Sequence, residues 1–292
     1  MSSIDYAAPA SAEEAAAALA AGGPSARPLS GGTDLLVQLR SGRIERGLLV
    51  DLKKIAGAVG IRRSEAGGFI VGAATPGAAI GEDAQFCAAW PGLAEAAMLI
   101  GSTQIQGRAS LGGNLGNASP AADSVPALLA AQAECEIVGP KGRRRAPVEA
   151  IPAGPGRTTL ALGEFILQFH LPPRPPRAAD AYLRSIPRTE MDIAVVGAGV
   201  DLVLDPEGRI ADARVALGAV APMPILVAQA AEAIMGSKLE DDALARLERA
   251  AGAAASPISD KRGTAEYRFK IVGVIAARAA KIAYGRALEK AE

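Results

Sequence analysis

The pattern of hydrophobic and polar positions changes period several times along the chain, and each change marks an element. Ser11-Ala-Glu-Glu14 has the spacing of a capping box ahead of an alanine-rich stretch. A helix is therefore predicted over 12–21, stopped by Gly22-Gly23-Pro24. Residues 28–34 read as a glycine-bearing loop, 35–39 as a short helix and 48–52 as a strand. A strand between glycines follows at 68–73 and a helix at 91–100, with Pro91 suited to its first turn. Residues 101–123 are dense in Gly, Ser and Asn and read as loop. Residues 125–131 read as helix. Residues 133–138 and 143–148 flank Gly139-Pro-Lys-Gly142, which suggests a hairpin, and a further strand lies within 160–171.

Four prolines within 172–176 predict a stiff, extended connector. Beyond it, 200–204, Pro206-Glu-Gly208 and 210–217 read as strand, turn, strand. Helices are expected over 225–235, 243–255 and 264–290. The chain thus divides into 1–57, 58–176 and a separate α+β domain over 177–292.

Half of the 292 residues are hydrophobic but only 3% are aromatic, so the core must be built from small aliphatics. Lys plus Arg and Asp plus Glu are 31 each, a balance that gives no general pull toward nucleic acid or an anionic membrane. Two distant cysteines, Cys87 and Cys135, and a single histidine exclude a four-cysteine iron–sulfur cluster or a usual zinc site within the chain. Both cysteines, together with Met191 and Met235, read as packing residues, and His170 as a structural histidine in an apolar strand. Arg143-Arg-Arg145 reads as a solvated hairpin face. No basic-then-apolar leader and no long uncharged apolar run is seen, and the expected location is cytoplasmic.

The candidate chemistry lies in two glycine-rich segments, Leu29-Ser-Gly-Gly-Thr-Asp34 and Gly112-Gly-Asn-Leu-Gly-Asn117. Successive amides in such loops can converge on one anion, and Thr33, Ser110 and Asn114 add neutral donors, a surface suited to a pyrophosphate. Ordinary tight turns fit the glycines alone equally well. Neither segment is a Rossmann fingerprint or a P-loop, and Gly197-Ala-Gly199 reads as a strand of small residues. Asp123 is either a helix cap or an acceptor for a ribose or ribityl hydroxyl, and Asp34 has the same two readings.

The ordered set of segments resembles a known family. Leu29-Ser-Gly-Gly-Thr-Asp-Leu-Leu36, the stretch from Gln104 through Ser110-Leu-Gly-Gly-Asn-Leu-Gly-Asn-Ala-Ser-Pro-Ala-Ala-Asp123, Gly154-Pro-Gly-Arg-Thr158, the segment Arg188 to Ala194 and Asp260-Lys-Arg-Gly-Thr-Ala-Glu-Tyr-Arg268 are similar to the medium, flavin-binding subunit of xanthine dehydrogenase and aerobic carbon monoxide dehydrogenase type enzymes. Gln106 stands where relatives often carry an arginine.

The resemblance implies an α+β chain: a PCMH-type FAD-binding fold of two α/β subdomains followed by a C-terminal α+β domain. It implies that FAD is held by Ser30, Gly31, Gly32, Thr33, Asp34 and Leu35 around the pyrophosphate, with Ser110, Gly113 and Asn114 adding contacts. Ser119 and Asp123 would hold the far end, Thr75 would add a contact, and Arg184 would lie near the isoalloxazine ring, with no catalytic side chain and no metal in this chain. It further implies a small subunit with [2Fe–2S] clusters and a large molybdopterin-binding subunit, assembled as a dimer of heterotrimers. A stand-alone FAD oxidoreductase and a non-catalytic scaffold subunit are the alternatives.

Overall fold

The computed structural model describes residues 4–188 and 190–290. The first unit comprises β1 (Asp5–Ala7), α1 (Ala12–Ala21), β2 (Arg27–Leu29), α2 (Leu35–Arg40) and β3 (Leu48–Asp51), with the strands in the parallel order β1-β3-β2. α1 begins where its capping signal predicts: Ser11 Oγ accepts from the Glu14 amide at 3.2 Å. Its buried Ala12, Ala15, Ala16 and Leu19 pack on Val50 and Leu52, and also on Val138, Phe165 and Leu167 of the next sheet. The first two units therefore share a core.

The second unit runs through β4 (Ile61–Arg63), β5 (Phe69–Gly72), α3 (Gly77–Glu82), α4 (Ala84–Ala89), α5 (Pro91–Met98), α6 (Thr103–Gln106), α7 (Leu111–Gly116) and α8 (Ser124–Ala130). It continues through the hairpin β6 (Glu134–Gly139) and β7 (Gly142–Pro147), the small pair β8 (Pro152–Gly154) and β9 (Arg157–Thr158), and β10 (Phe165–Leu171). Its sheet is antiparallel in the order β4-β5-β10-β6-β7. Phe69, Phe86, Trp90, Leu93 and Phe169 anchor the core beneath it, so the few aromatics concentrate where helices meet this sheet.

The loop expected over 101–123 contains two short helices. α7 starts at Ser110, whose Oγ accepts from the Gly113 amide at 3.1 Å. Helix wins there because Gly112 allows the turn to sit directly on the end of β5; a Cβ on it would lie 2.6 Å from the Ala73 carbonyl oxygen.

The third unit comprises β11 (Ala178–Ser185), β12 (Val196–Leu204), β13 (Ile210–Gly218), β14 (Ile225–Leu226), α9 (Ala228–Glu232), α10 (Asp241–Ala254) and α11 (Ala265–Glu289), with an antiparallel sheet in the order of its strands. The helix expected over 225–235 is split, because Ile225 and Leu226 pair with Leu217 and Ala216 before α9 begins. α10 and α11 supply alanines and leucines to the core over one sheet face.

The other face of this sheet packs closely against the second unit. A Cβ on Gly199 would lie 2.6 Å from the Pro126 carbonyl oxygen of α8, and one on Gly92 of α5 would lie 2.6 Å from the Ala181 Cα. Helices of the second unit thus press onto the third unit's sheet at a distance only glycine permits. The proline-rich connector is part of the joint: Arg174 turns inward, stacks 3.9 Å from the Trp90 ring centroid and pairs with both Asp180 and Asp201. Met191 and Met235 are exposed rather than core, at 53% and 42%. Among the described residues no helix is long and apolar enough to cross a membrane.

Candidate flavin site

The segment 30–35 leaves β2 and enters α2 through Gly32, whose φ of +80° is the left-handed conformation that glycine tolerates. Gly31 is seated against the chain of the second unit. A Cβ there would lie 1.7 Å from the Arg108 carbonyl oxygen. The Ser30 and Ser110 hydroxyls are 2.6 Å apart, and Arg108 Nε donates to the Gly31 carbonyl at 3.3 Å. Lys53 Nζ donates to the Ser30 carbonyl at 2.9 Å and to Asp51, fixing the loop from below. Gln38 Nε2 donates to Asn117 Oδ1 at 2.8 Å, a second tie between α2 and α7.

Among the described residues, the amides of Gly31, Gly32, Thr33, Asp34 and Leu35 donate to no atom of the chain. Five consecutive free donors on a loop held from two sides form a nest for an oxyanion. α7 contributes less than its glycines suggest. The Gly112 amide is spent on the Ala73 carbonyl and the Gly113 amide on Ser110 Oγ. Asn114 Oδ1 accepts from the Ser124 amide and hydroxyl at 3.1 and 2.7 Å, linking α7 to the start of α8. Gly113 is exposed, and a Cβ on it would come within 3.9 Å of Ser30 Cβ.

Asp123 stands at the N-terminal boundary of α8, yet its carboxylate makes no cap bond. It accepts instead from the Tyr182 hydroxyl at 2.8 Å and from Arg184 Nη1 at 2.7 Å. Burial pushes its carboxyl up to about 6, while the Arg184 charge and the Tyr182 and Arg184 hydrogen bonds pull the other way. Burial, and then the Asp123 charge, push the Tyr182 phenol well above its ordinary value. Arg184 Nε is buried without a partner. Arg184 Nη1 also reaches the Asp192 carbonyl at 3.4 Å, and the Asp192 carboxylate holds Arg188 at 3.2 Å. Ser119 Oγ accepts from the Ala121 amide at 3.3 Å in the turn between α7 and α8.

Ser30, Ser110, Gly113, Asn114, Asp123 and Arg184 therefore form one continuous line of contacts through Ser124. Thr75 is set apart: it is 1% exposed and its hydroxyl both accepts from the Gly60 amide and donates to the Gly60 carbonyl. Its neighbour Pro76 bridges to Ser110. Gly60 also lines a cavity of about 440 Å³ between residues 56–62 and β10, where Arg62 is bonded to Gln168. Asp34 is exposed and makes no cap bond.

The residues 2–174 match the model of the FAD binding domain in molybdopterin dehydrogenase, more than half of the chain, and 181–283 match the CO dehydrogenase flavoprotein C-terminal domain. The chain belongs to this family of molybdopterin dehydrogenase flavoproteins. It is 34% identical over 287 residues to the carbon monoxide dehydrogenase medium chain of Afipia carboxidovorans, covering 98% of each. It is 32% identical over 255 residues to a putative xanthine dehydrogenase FAD-binding subunit of Escherichia coli K12, covering 87% of each. Its fold superposes on a chain of reconstituted CO dehydrogenase from Oligotropha carboxidovorans with a TM-score of 0.93 at 32% identity, covering 98% of this chain and 99% of that one. The α+β architecture, with N-terminal FAD-binding subdomains and a C-terminal α+β domain, is that of the family.

Within this flavoprotein fold, sequence reasoning missed Tyr182, Lys53, Gln38 and Asn117. A signal for Tyr182 existed. Positions 182 and 184 lie two apart in a strand and so share one face, which brings both side chains to Asp123. His170 is structural, with Nε2 3.0 Å from Glu136 Oε2.

Proposed function

We propose that this chain is the electron-transfer subunit of a cytoplasmic molybdenum hydroxylase. It would hold FAD between a small [2Fe–2S] subunit and an external acceptor, with a large molybdopterin subunit carrying the hydroxylation, in a dimer of heterotrimers. The run of free amides from Gly31 to Leu35, clamped against Arg108 and Ser110, carries this reading. It suits a diphosphate that needs several aligned donors and no dedicated cation. In this assignment 1–57 and 58–176 clasp the cofactor and 177–292 covers its far end.

Ser30, Gly31, Gly32, Thr33, Asp34 and Leu35 surround the diphosphate. Ser110, Gly113 and Asn114 line the facing wall, and Thr75 shapes that wall from behind through Pro76 rather than through its engaged hydroxyl. Ser119 and Asp123 hold the polar chain of the cofactor. Arg184, pinned by Asp123, places a fixed positive charge near the ring, where it favours a reduced, anionic form. Bound FAD supplies the ability to take electrons singly and deliver them in pairs. The chain's own groups orient it, keep its phosphates paired and set the local potential.

The test is direct. The purified protein should carry a yellow flavin that denaturation releases as FAD, and substrate added to the whole complex should bleach that flavin. A flavin-free protein that does not bind added FAD would refute the reading. Turnover of a small oxidisable substrate by this chain alone would replace it with a self-sufficient oxidoreductase.

A further inference from the structure

Each amide of the nest belongs to a planar trans peptide, so its N–H points the opposite way from the carbonyl of the residue before it. Whatever holds that carbonyl therefore aims the donor. From Thr33 onward the helix does this by itself. The Gly32 carbonyl accepts from the Leu36 amide at 3.1 Å and the Asp34 carbonyl from the Gln38 amide at 2.9 Å, which turns the Thr33 and Leu35 N–H groups away from α2. The peptides 30–31 and 31–32 lie upstream of that first turn. Among the described residues no backbone amide donates to the Ser30 or Gly31 carbonyl. Two side chains take that place: Lys53 Nζ donates to the Ser30 carbonyl at 2.9 Å and Arg108 Nε to the Gly31 carbonyl at 3.3 Å.

Both donors are cations, and both are anchored. Lys53 Nζ lies 2.7 Å from Asp51 Oδ1, and the buried Asp51 carboxylate also accepts from the Lys53 amide at 2.9 Å and the Tyr6 hydroxyl at 2.7 Å. Burial pushes the Asp51 carboxyl up, but the Lys53 and Tyr6 hydrogen bonds outweigh it and hold it below its ordinary value, so it stays charged. Arg108 is exposed, yet its own carbonyl is the surface on which Gly31 is seated, so its side chain and main chain both meet that glycine. The loop from Ser30 to Leu35 itself carries no cation. We propose that Lys53 and Arg108 are the positioning residues of the diphosphate site; the inference rests on the functional reading above. Each grips the carbonyl edge of one peptide, so that the N–H on its far edge faces the oxyanion: Gly31 for Lys53 and Gly32 for Arg108. A charge-assisted bond to a carbonyl also polarises its peptide, which strengthens the donor on the other side. Neither side chain has to touch the phosphates to act in this way.

The experiment uses the full chain, stripped of flavin and isotopically labelled on nitrogen, as wild type, Lys53→Met and Arg108→Met. FAD affinity is measured by fluorescence titration, and the loop amides are followed by NMR as FAD is added. In the wild type the Gly31 and Gly32 amide protons should move downfield as they meet the oxyanion. Each methionine variant should bind FAD about tenfold more weakly, the loss of one well-aimed charged hydrogen bond. The Gly31 amide should lose its shift in Lys53→Met and the Gly32 amide in Arg108→Met, while Thr33 and Leu35 respond in both. Lys53→Arg and Arg108→Lys restore a charged donor and should return FAD affinity to within about threefold of wild type. Arg108 is exposed, so its replacement leaves the core intact and keeps the test available if Lys53→Met does not fold. Wild-type FAD affinity and wild-type amide shifts in both methionine variants would overturn the positioning role while leaving the functional reading intact. A loss spread equally over all five amides would also overturn it, since that marks a loop that has merely collapsed, as would charged replacements that bind no better than methionine. A wild-type chain that binds no FAD would instead refute the functional reading, and the positioning role with it.

Discussion

Replacing Gly31 by alanine tests the site at its tightest point. The new Cβ would sit 1.7 Å from the Arg108 carbonyl oxygen and 2.4 Å from its carbonyl carbon, both backbone atoms that cannot rotate away. An ordinary carbon–oxygen approach is about 3.3 Å, so the loop must retreat by about 1.5 Å. That movement breaks the 2.6 Å contact between the Ser30 and Ser110 hydroxyls and turns the free amides of Gly31 and its neighbours out of register. A hydrogen bond to a charged group contributes about 1.5–3 kcal/mol. Losing two of them weakens FAD by about 3–6 kcal/mol, or about 10²–10⁴-fold in Kd. The assay is FAD titration of flavin-stripped protein, followed by fluorescence, beside thermal melts of the stripped forms, because bound FAD would itself raise the apparent stability. Gly252→Ala is the control: its methyl group enters open space in α10, far along the chain from the site. A Gly31→Ala protein that binds FAD within about threefold of wild type would refute the placement of the diphosphate, whatever its melting temperature.

Arg174→Ala should cost about 3–5 kcal/mol, since it strands the cross-strand carboxylates Asp180 and Asp201 and uncovers Trp90. Burial raises Asp201 to about 7, above its unfolded value, so the native state holds the extra proton between about pH 4 and 7 and this carboxyl's contribution to stability falls as pH rises through that window. Arg174 opposes that shift, so the variant's deficit should be largest at pH 8 and shrink toward pH 5; denaturant melts showing an equal deficit at both would contradict the assignment. Gly199→Ala forces a methyl to 2.6 Å from the Pro126 carbonyl oxygen and should destabilise by about 1–3 kcal/mol, read by thermal unfolding. Tyr182→Phe leaves the buried Asp123 Oδ1 without its donor, at about 1–3 kcal/mol, and should loosen FAD through Arg184; unchanged stability and unchanged flavin potential would separate Tyr182 from the site.

Locally encoded features were legible from the chain alone. Ser11 caps a helix because its hydroxyl meets an amide three residues on, and the glycines at 139 and 142 close a hairpin whose strands lie on either side. The glycine-rich loop at 30–35 marked either a tight turn or a set of backbone donors, and the glycines alone did not separate the two. Motif order across the chain then pointed to the flavoprotein family. Only tertiary structure decided the rest. β11 has the unpromising composition Ala-Ala-Asp-Ala and is a strand because β12 pairs with it over eight residues. Gly112 of α7 serves close seating on Ala73, and its amide and that of Gly113 are already paired with the Ala73 carbonyl and Ser110 Oγ. Asp123 could be a cap in any local reading; it is a partner of Tyr182 and Arg184 because a strand some sixty residues away brings them there. Caps and turns act within a few residues and can be read in place. Register, burial and charge pairing depend on which distant surfaces meet.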